Sequence, residues 1–308
     1  MDGQPPDTTH DRRQHGLTGA TALHRWPALL VVGLLAIFGL RAPEPQNGQD
    51  IAALQAMTNT PVTIHQVPLG VSNAYLLESD ASLVLVDAGL PGSADAILAA
   101  VDALGKPLTL IYITHAHIDH YGSAAEVRRR TGAPIAVHAA DADALAAGGT
   151  RLGSLRLLQG ASRDLLALAE PLLDVEPAPP DVLVADGDSL AAYGIDATVL
   201  HTPGHTPGST TLLLNDGQVA IAGDLLSNSG GAHAQRTYAD DWTALAESIE
   251  RIQDAAPVLT YAGHGSGPIV AGDLQAVALD PVDPLSAQGL ASYYEALIGA
   301  WVGGADGP

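Results

Sequence analysis

The sequence predicts an α/β protein whose β-sheets are covered by helices. Short apolar, β-branched runs bounded by turn residues indicate strands, and stretches with apolar residues at helical spacing lie between them in mixed order. The strands form two groups along the chain, and no repeat of fixed spacing relates the groups. This arrangement is typical of a layered sandwich.

The first group of strands surrounds a run of histidines. An apolar run at 107–114 predicts a buried strand that ends where the histidines begin. The other elements predicted in this half are strands at 62–67, 74–77, 83–86 and 134–137, and helices at 93–104, at 123–130 and from Asp141 onward.

Residues 148–180 separate the two groups. This stretch is rich in leucine at roughly helical spacing and is interrupted by Gly and Pro, so it is either a lid over the site or a packed helical insertion. The elements predicted after it are strands at 182–184, 197–200, 210–214, 218–222 and 258–261, and helices at 242–255 and 286–301.

The N-terminal region contains an uncharged apolar run of fifteen residues at 26–40. It is short for a membrane span, which needs about 20 residues, but suits a short anchor or a signal-peptide core. The predicted division of the chain is a polar tail at 1–25, the apolar helix at 26–40, a linker at 41–60, a catalytic domain at 61–280, and a C-terminal helix and tail at 281–308.

Basic residues are distributed unevenly around this apolar run. Arg12, Arg13 and Arg25 precede it, whereas Arg41 alone follows it before Lys106. The positive-inside rule therefore predicts an exported protein, anchored in the inner membrane with its catalytic domain outside the cytoplasm. If the run is cleaved, the prediction becomes a periplasmic or secreted protein.

The overall composition excludes several function classes. The chain has 13 Lys and Arg against 34 Asp and Glu, a formal charge of −21, which argues against binding the phosphate backbone of nucleic acids. It has no cysteine, so disulfides, thiolate metal sites and cysteine nucleophiles are excluded. The predicted partners are a small-molecule substrate and, through the apolar run at 26–40, the membrane.

The run from His115 to His120 is the strongest chemical signal. It places His115, His117, Asp119 and His120 within six positions directly after an apolar strand. Imidazole and carboxylate are good ligands for zinc and similar divalent ions. An extended backbone would place His115 and His117 on one side for one ion, leaving Asp119 and His120 for another.

Further candidate ligands follow later strands. His205 lies in a loop with two Pro-Gly pairs and is the third ligand for the first ion. His201, at the strand end, is interpreted as a structural residue or as one that supports the ligands. Asp224 ends a buried strand, and its two oxygens could bridge both ions. His264 lies between two glycines, where backbone must approach closely, and completes the second set.

These motifs, in this order, resemble those of the metallo-β-lactamase fold hydrolases. The segments Asn73–Leu76 and Leu85–Gly89 are also similar to that family's first strands, where the aspartate, here Asp87, is usually structural. The resemblance implies an αβ/βα four-layer sandwich over about 61–270. It assigns the first ion to His115, His117 and His205, and the second to Asp119, His120 and His264, with Asp224 bridging.

The bridging aspartate indicates a branch of the superfamily. The resemblance places Asp224 with glyoxalase II-like thioesterases and lactonases rather than with true β-lactamases. Residues 269–308 contain no Lys or Arg, however, which argues against glutathione as the substrate. The predicted function is hydrolysis of an ester, thioester or lactone by a hydroxide held between two divalent ions, with Asp119 as catalytic proton carrier.

The ligand types leave the metal and the reaction class open. Zn²⁺ is the expected metal, but the same ligands also suit Fe or Mn, and hence an iron-dependent oxidoreductase on the same fold. A β-lactam hydrolase and an anchored, non-catalytic binding domain are two more hypotheses for the function. Tyr121, His233 and Tyr238 are further residues that could lie near the substrate.

Overall fold

The computed structural model describes residues 62–156 and 160–279. Two β-sheets form the centre of the molecule, as the alternation of strands and helices predicts. The predicted tail, apolar helix and linker at 1–60 and the predicted helix at 286–301 lie outside the described residues.

The first sheet has six strands in the order β1-β2-β3-β4-β5-β7. The β1–β2 and β2–β3 pairs are antiparallel, and the remaining pairs are parallel. The strands are β1 (Thr63–Pro68), β2 (Asn73–Glu78), β3 (Leu83–Val86), β4 (Leu108–Ile113), β5 (Ile135–His138) and β7 (Val182–Val184).

The second sheet has five strands in the order β16-β14-β10-β9-β8. Because β8 and β10 are both antiparallel to β9, and β10 is parallel to β14, the carboxyl ends of β8, β10 and β14 lie at the same edge. The strands are β8 (Ala197–His201), β9 (Thr210–Leu214), β10 (Val219–Ile221), β14 (Leu259–Tyr261) and β16 (Ile269–Val270).

Helices cover the outer face of each sheet. The helices are α1 (Ala94–Leu104), α2 (Ile118–Tyr121), α3 (Ala124–Thr131), α4 (Ala142–Ala147), α5 (Gly160–Ala167), α6 (Trp242–Ala255) and α7 (Ala271–Ala276). Shorter strands complete the fold: β6 (Ser154–Leu155), β11 (Leu226–Asn228), β12 (His233–Ala234), β13 (Tyr238–Ala239) and β15 (His264–Gly265).

Three apolar cores show the order of the layers. Ile97, Val127 and Leu145 from α1, α3 and α4 pack on one face of the first sheet. Tyr112 and Leu212 belong to the core between the two sheets. The third core joins the outer face of the second sheet to α6 and α7. This helix–sheet–sheet–helix order is that of the predicted four-layer α/β sandwich.

The predicted export and membrane anchor are wrong. Of the helices at 62–156 and 160–279, none is long and apolar enough to cross a membrane. The 14-residue α6 is shorter than the roughly 20 residues that a span requires, and it carries charged residues on one face. The apolar run at 26–40, on which that prediction depended, lies outside the described residues.

Candidate metal centre

The predicted ligands all follow the carboxyl ends of strands that meet at one edge of the two sheets. His115 and His117 follow β4, and Asp119 and His120 lie in α2, a separate short helix that begins directly after His117. His205 lies in the loop after β8, Asp224 in a 3-10 turn after β10, and His264 in β15 after β14. The first sheet therefore supplies four of these side chains and the second sheet three.

The structure brings these seven side chains together. Three overlapping groups have ligand atoms within 4.8 Å of one another. They are His115, His117 and His205; Asp119, His120 and His264; and His115, His120 and Asp224. The first two groups are the two predicted ligand sets, and the third contains members of both sets with Asp224.

Asp224 lies between the two sets. Its Oδ2 is 3.5 Å from His205 Nε2 and 3.0 Å from His264 Nε2. Its Oδ1 is 3.2 Å from His120 Nε2. One carboxylate thus faces a member of the first set and two members of the second, the arrangement that a bridging ligand requires.

Two glycines allow this close approach. A Cβ on Gly263 would collide with Asp224 Oδ1 and would lie 2.7 Å from His120 Cε1. Gly223 has a φ of +49°, and a Cβ there would lie 2.8 Å from Thr114 Oγ1. The close backbone approach that the glycines beside His264 predicted is therefore present at Gly263.

The ring nitrogens on the outer side of the cluster all contact oxygen atoms. Backbone carbonyls accept from His117 Nε2 (Arg151 O, 2.6 Å), His205 Nδ1 (Tyr238 O, 3.2 Å) and His264 Nδ1 (Val71 O, 2.8 Å). A carbonyl can only accept, so each of these outer nitrogens carries a proton, and the opposite nitrogen of each ring is the one that could bind an ion.

The other two histidines have side-chain partners. His120 Nδ1 lies 2.8 Å from Asp87 Oδ2, and His115 Nδ1 lies 3.0 Å from Thr114 Oγ1. Asp87 also accepts from Thr114 N at 2.8 Å and from Thr114 Oγ1 at 2.9 Å. Asp87 therefore orients His120 directly and His115 through the Thr114 hydroxyl.

The inward atoms fit a metal site. Burial removes them from water, and among the described residues several have no hydrogen-bond partner. These atoms are His115 Nε2, His117 Nδ1, His120 Nε2, His205 Nε2 and Asp224 Oδ1. Unpaired buried polar atoms are costly, and convergent imidazole nitrogens with carboxylate oxygens are the donors that zinc, iron and manganese accept.

Burial and neighbouring charges divide the histidines into two groups. Burial and the adjacent imidazoles hold the pKa of His115 and His205 well below the usual value. Burial also lowers the pKa of His264, but the Asp224 and Asp119 carboxylates outweigh it and raise that pKa to about 9. The pKa of His120 is raised for the same reason. Negative charge is thus concentrated at the second set.

The segment after Gly148 forms one wall of the centre. The hydroxyl of Thr150 accepts from Ile118 N at 3.2 Å, and Arg151 O contacts His117. Strand β6 pairs with β13, placing Leu155 opposite Tyr238. Of the two interpretations of 148–180, the contacts in its first part are those of a packed insertion.

Among the residues predicted near the substrate, Tyr238 is next to the centre. Its ring centroid lies 5.5 Å from those of His117 and His205. Tyr121 is buried and donates to Gly149 O, as a packing residue does. His201 stacks on His138 at 4.0 Å, and its Nε2 contacts Pro207 O, so it is structural as predicted.

Asp141 was not predicted to belong to the site, but its carboxylate contacts two of the loops that carry candidate ligands.

Comparison with known proteins assigns the family. The model of the metallo-beta-lactamase superfamily matches residues 67–264. The chain belongs to this superfamily. It is a metal-dependent hydrolase of this superfamily.

Three similar proteins illustrate the relationship. A probable metallo-hydrolase of Bacillus subtilis, YqgX, is 28% identical over 195 residues, covering 63% of this chain and 85% of YqgX. A hydroxyacylglutathione hydrolase of Acidiphilium cryptum is 31% identical over 176 residues, covering 57% of this chain and 58% of the relative. The crystal structure of the B3 metallo-beta-lactamase BLEG-1 matches with a TM-score of 0.55 and 28% identity, covering 68% of this chain and 95% of that protein.

Proposed function

We propose that this superfamily member is a binuclear metal-dependent hydrolase that cleaves an ester, thioester or lactone. The observation that carries the proposal is the position of Asp224, whose carboxylate lies within 3.5 Å of histidines from both ligand sets. A carboxylate shared in this way suits two ions held close together.

The assignment of ligands follows the two sets. His115, His117 and His205 would hold the first ion, and Asp119, His120 and His264 the second, with Asp224 between them. We propose Zn²⁺ for both positions because neutral imidazole and carboxylate suit it, although the same donors accept Fe or Mn. When bound, such ions polarise a carbonyl group and lower the pKa of water.

Within this arrangement, Asp119 is the proposed catalytic residue. Its Oδ2 lies 3.5 Å from His264 Nε2 and 3.7 Å from His120 Nε2, so the carboxylate faces the second set. The Ser72 hydroxyl donates to Asp119 O at 2.5 Å and fixes the first turn of α2. Asp119 can then orient the attacking water, accept its proton at a carboxylate oxygen and return it to the leaving group.

The choice of bond type is supported by one relative and by the chemistry of the site. The Acidiphilium relative is named a hydroxyacylglutathione hydrolase, which is a thioesterase. Thioesters, esters and lactones share a carbonyl carbon that water attacks. In each of them the leaving thiolate or alkoxide needs one proton to become the product thiol or alcohol. Residues 269–308 of this chain contain no Lys or Arg, so we propose an acyl substrate other than a glutathione conjugate.

The test uses the full-length protein with a matched histidine control. Metal content is measured for the wild type, His115→Ala and His65→Ala, and each protein is assayed on an ester, a thioester, a lactone and a β-lactam. His65 is a partly exposed residue that contacts Glu78 on β2, outside the cluster. We expect two ions and acyl hydrolysis in the wild type and in His65→Ala. In His115→Ala we expect loss of the first ion and of hydrolysis.

Two outcomes would contradict the proposal. Equal turnover by the wild type and His115→Ala would show that the hydrolysis does not depend on this centre. Turnover of the β-lactam alone would replace the proposed acyl substrate by a β-lactam.

A further inference from the structure

Asp141 connects two loops that carry ligands of the first set. Its Oδ2 accepts from Ala116 N at 2.8 Å, between His115 and His117 in sequence. The same oxygen accepts from Thr206 Oγ1 at 2.7 Å, and its Oδ1 accepts from Gly208 N at 2.8 Å. The two loops follow strands of different sheets, so one carboxylate joins the two halves of the first set.

The surroundings of Asp141 are built for this carboxylate. The side chain is 3% exposed, and its partners are two backbone N–H groups and a hydroxyl. Hydrogen bonds of this kind stabilise a buried anion that would otherwise be costly. At Gly208 a Cβ would lie 2.5 Å from Asp141 Cγ, so the His205 loop approaches closely only because glycine stands there.

The second set is held by different groups. Asp87 orients His120, and Val71 O orients His264, at 2.8 Å in both cases. Ser72 holds the backbone of Asp119. None of these contacts passes through Asp141, whereas its carboxylate accepts hydrogen bonds from both the loop of His115 and His117 and the loop of His205.

We infer that Asp141 is the positioning residue of the first ligand set. Its carboxylate fixes the spacing of the two loops and so sets the affinity of the first site for its ion, without contacting the ion. The inference rests on the proposed binuclear centre. A change at Asp141 is therefore expected to weaken the first site selectively, in the manner of partners that orient metal ligands.

The experiment measures each site separately in full-length protein. His264→Ala leaves the first set complete, and His205→Ala leaves the second set complete. Asp141→Asn is placed in both backgrounds, and metal-stripped proteins are titrated with Co²⁺ while the visible absorption of the bound ion is recorded. Asp143→Asn is the control because Asp143 is an exposed aspartate in the first turn of α4, two residues after Asp141.

The expected result is an asymmetry. Asparagine keeps the shape of Asp141 but turns one acceptor into an NH₂ group that faces an existing donor. We expect Asp141→Asn to weaken Co²⁺ binding about 10- to 100-fold in the His264→Ala background and to leave it unchanged in the His205→Ala background. Asp143→Asn should change neither affinity.

Each other outcome has a defined meaning. Unchanged Co²⁺ affinity in both backgrounds, or equal weakening in both, would overturn the positioning role while the proposed function stands. Failure of the wild type to bind Co²⁺ would overturn the proposed function itself. If Asp141→Asn does not fold, Thr206→Val removes only one of the three hydrogen bonds and is expected to cause a smaller loss, again confined to the first site.

Discussion

Oδ2 of Asp224 lies 3.0 Å from Nε2 of His264, and both side chains are buried. Each changes the other's pKa. Burial alone would raise the pKa of Asp224, but the charges of His264 and His120 hold it well below the usual value. Without a bound ion, the positive charge of a protonated histidine in the second set therefore balances the Asp224 carboxylate, as a metal cation would.

The first prediction concerns the pH dependence of metal uptake. His264, with a pKa of about 9, is protonated at pH 7 and must lose a proton when an ion binds, and the pKa of His120 is raised in the same direction. His115 and His205 have lowered pKa values and are already neutral. We expect affinity at the second site to rise more steeply between pH 6 and pH 8 than affinity at the first.

Calorimetry can check this difference. Titrations of His264→Ala and His205→Ala protein in buffers of different ionisation enthalpy report the protons released at each remaining site. His205→Ala, which retains the second set, should release more protons than His264→Ala. Equal release from the two proteins would contradict the assignment.

The second prediction concerns Asp119. Asp119→Asn keeps an oxygen that can face the site but removes the proton acceptor. We expect kcat to fall by about 10²–10⁴-fold, the usual contribution of general acid–base catalysis. A variant with wild-type kcat would exclude Asp119 as the proton carrier.

The third prediction concerns Asp87, which has a φ of +61°. Asparagine tolerates this backbone conformation, so Asp87→Asn should fold. It removes a charged acceptor from His120 Nδ1, and affinity at the second site should fall about 10- to 100-fold. Asp87→Ala leaves the Thr114 donors without this acceptor and should also cost about 1–3 kcal/mol of folding stability per lost partner. Metal titration and urea unfolding measure the two effects.

The fourth prediction compares two glycines. Gly263→Ala places a methyl group against Asp224 and His120, so metal content and activity should both fall. Gly272→Ala, in α7, has no atom within 4 Å of the new Cβ and should leave both unchanged. Metal analysis of the two purified variants makes the comparison, and equal metal content would contradict the crowded geometry at Gly263.

The fifth prediction concerns removal of the ions. A ligand that binds only the folded state stabilises it by about 2.7 kcal/mol at a free concentration of 100 Kd. We therefore expect chelation to lower the Tm of the wild type and addition of Zn²⁺ to restore it. In His115→Ala the Tm should respond less to both treatments. An identical response of the two proteins would place the stabilising ion elsewhere.

The layered α/β fold could be predicted from the sequence, and so could the strand ends that carry the candidate ligands. Each ligand follows an apolar strand, and a polar group at the end of a buried run leaves a local pattern that can be recognised. The separate helix Ile118–Tyr121 was not anticipated, because one turn is too short to show periodicity. The short strands β6, β13 and β15 were missed for the same reason.

The groups that orient the candidate ligands were harder to predict from the sequence. Asp141 contacts Thr206, which is 65 positions away, and Tyr238 lies opposite Leu155 across a two-residue strand pair. Contacts between residues that are so far apart in the chain produce no spacing pattern that can be recognised in a single sequence. The partner of His117 could not be predicted either, because it is the backbone carbonyl of Arg151 and every residue type has such a carbonyl.

The division of the ligands between the two sheets has a mechanical consequence. His115 and His117 follow a strand of one sheet, whereas His205, Asp224 and His264 follow strands of the other. A cation bound by both groups would link the two sheets at the edge where these side chains lie. Sliding of one sheet against the other would then pull donor atoms apart, so an ion bound at the proposed centre would also resist shear between the sheets.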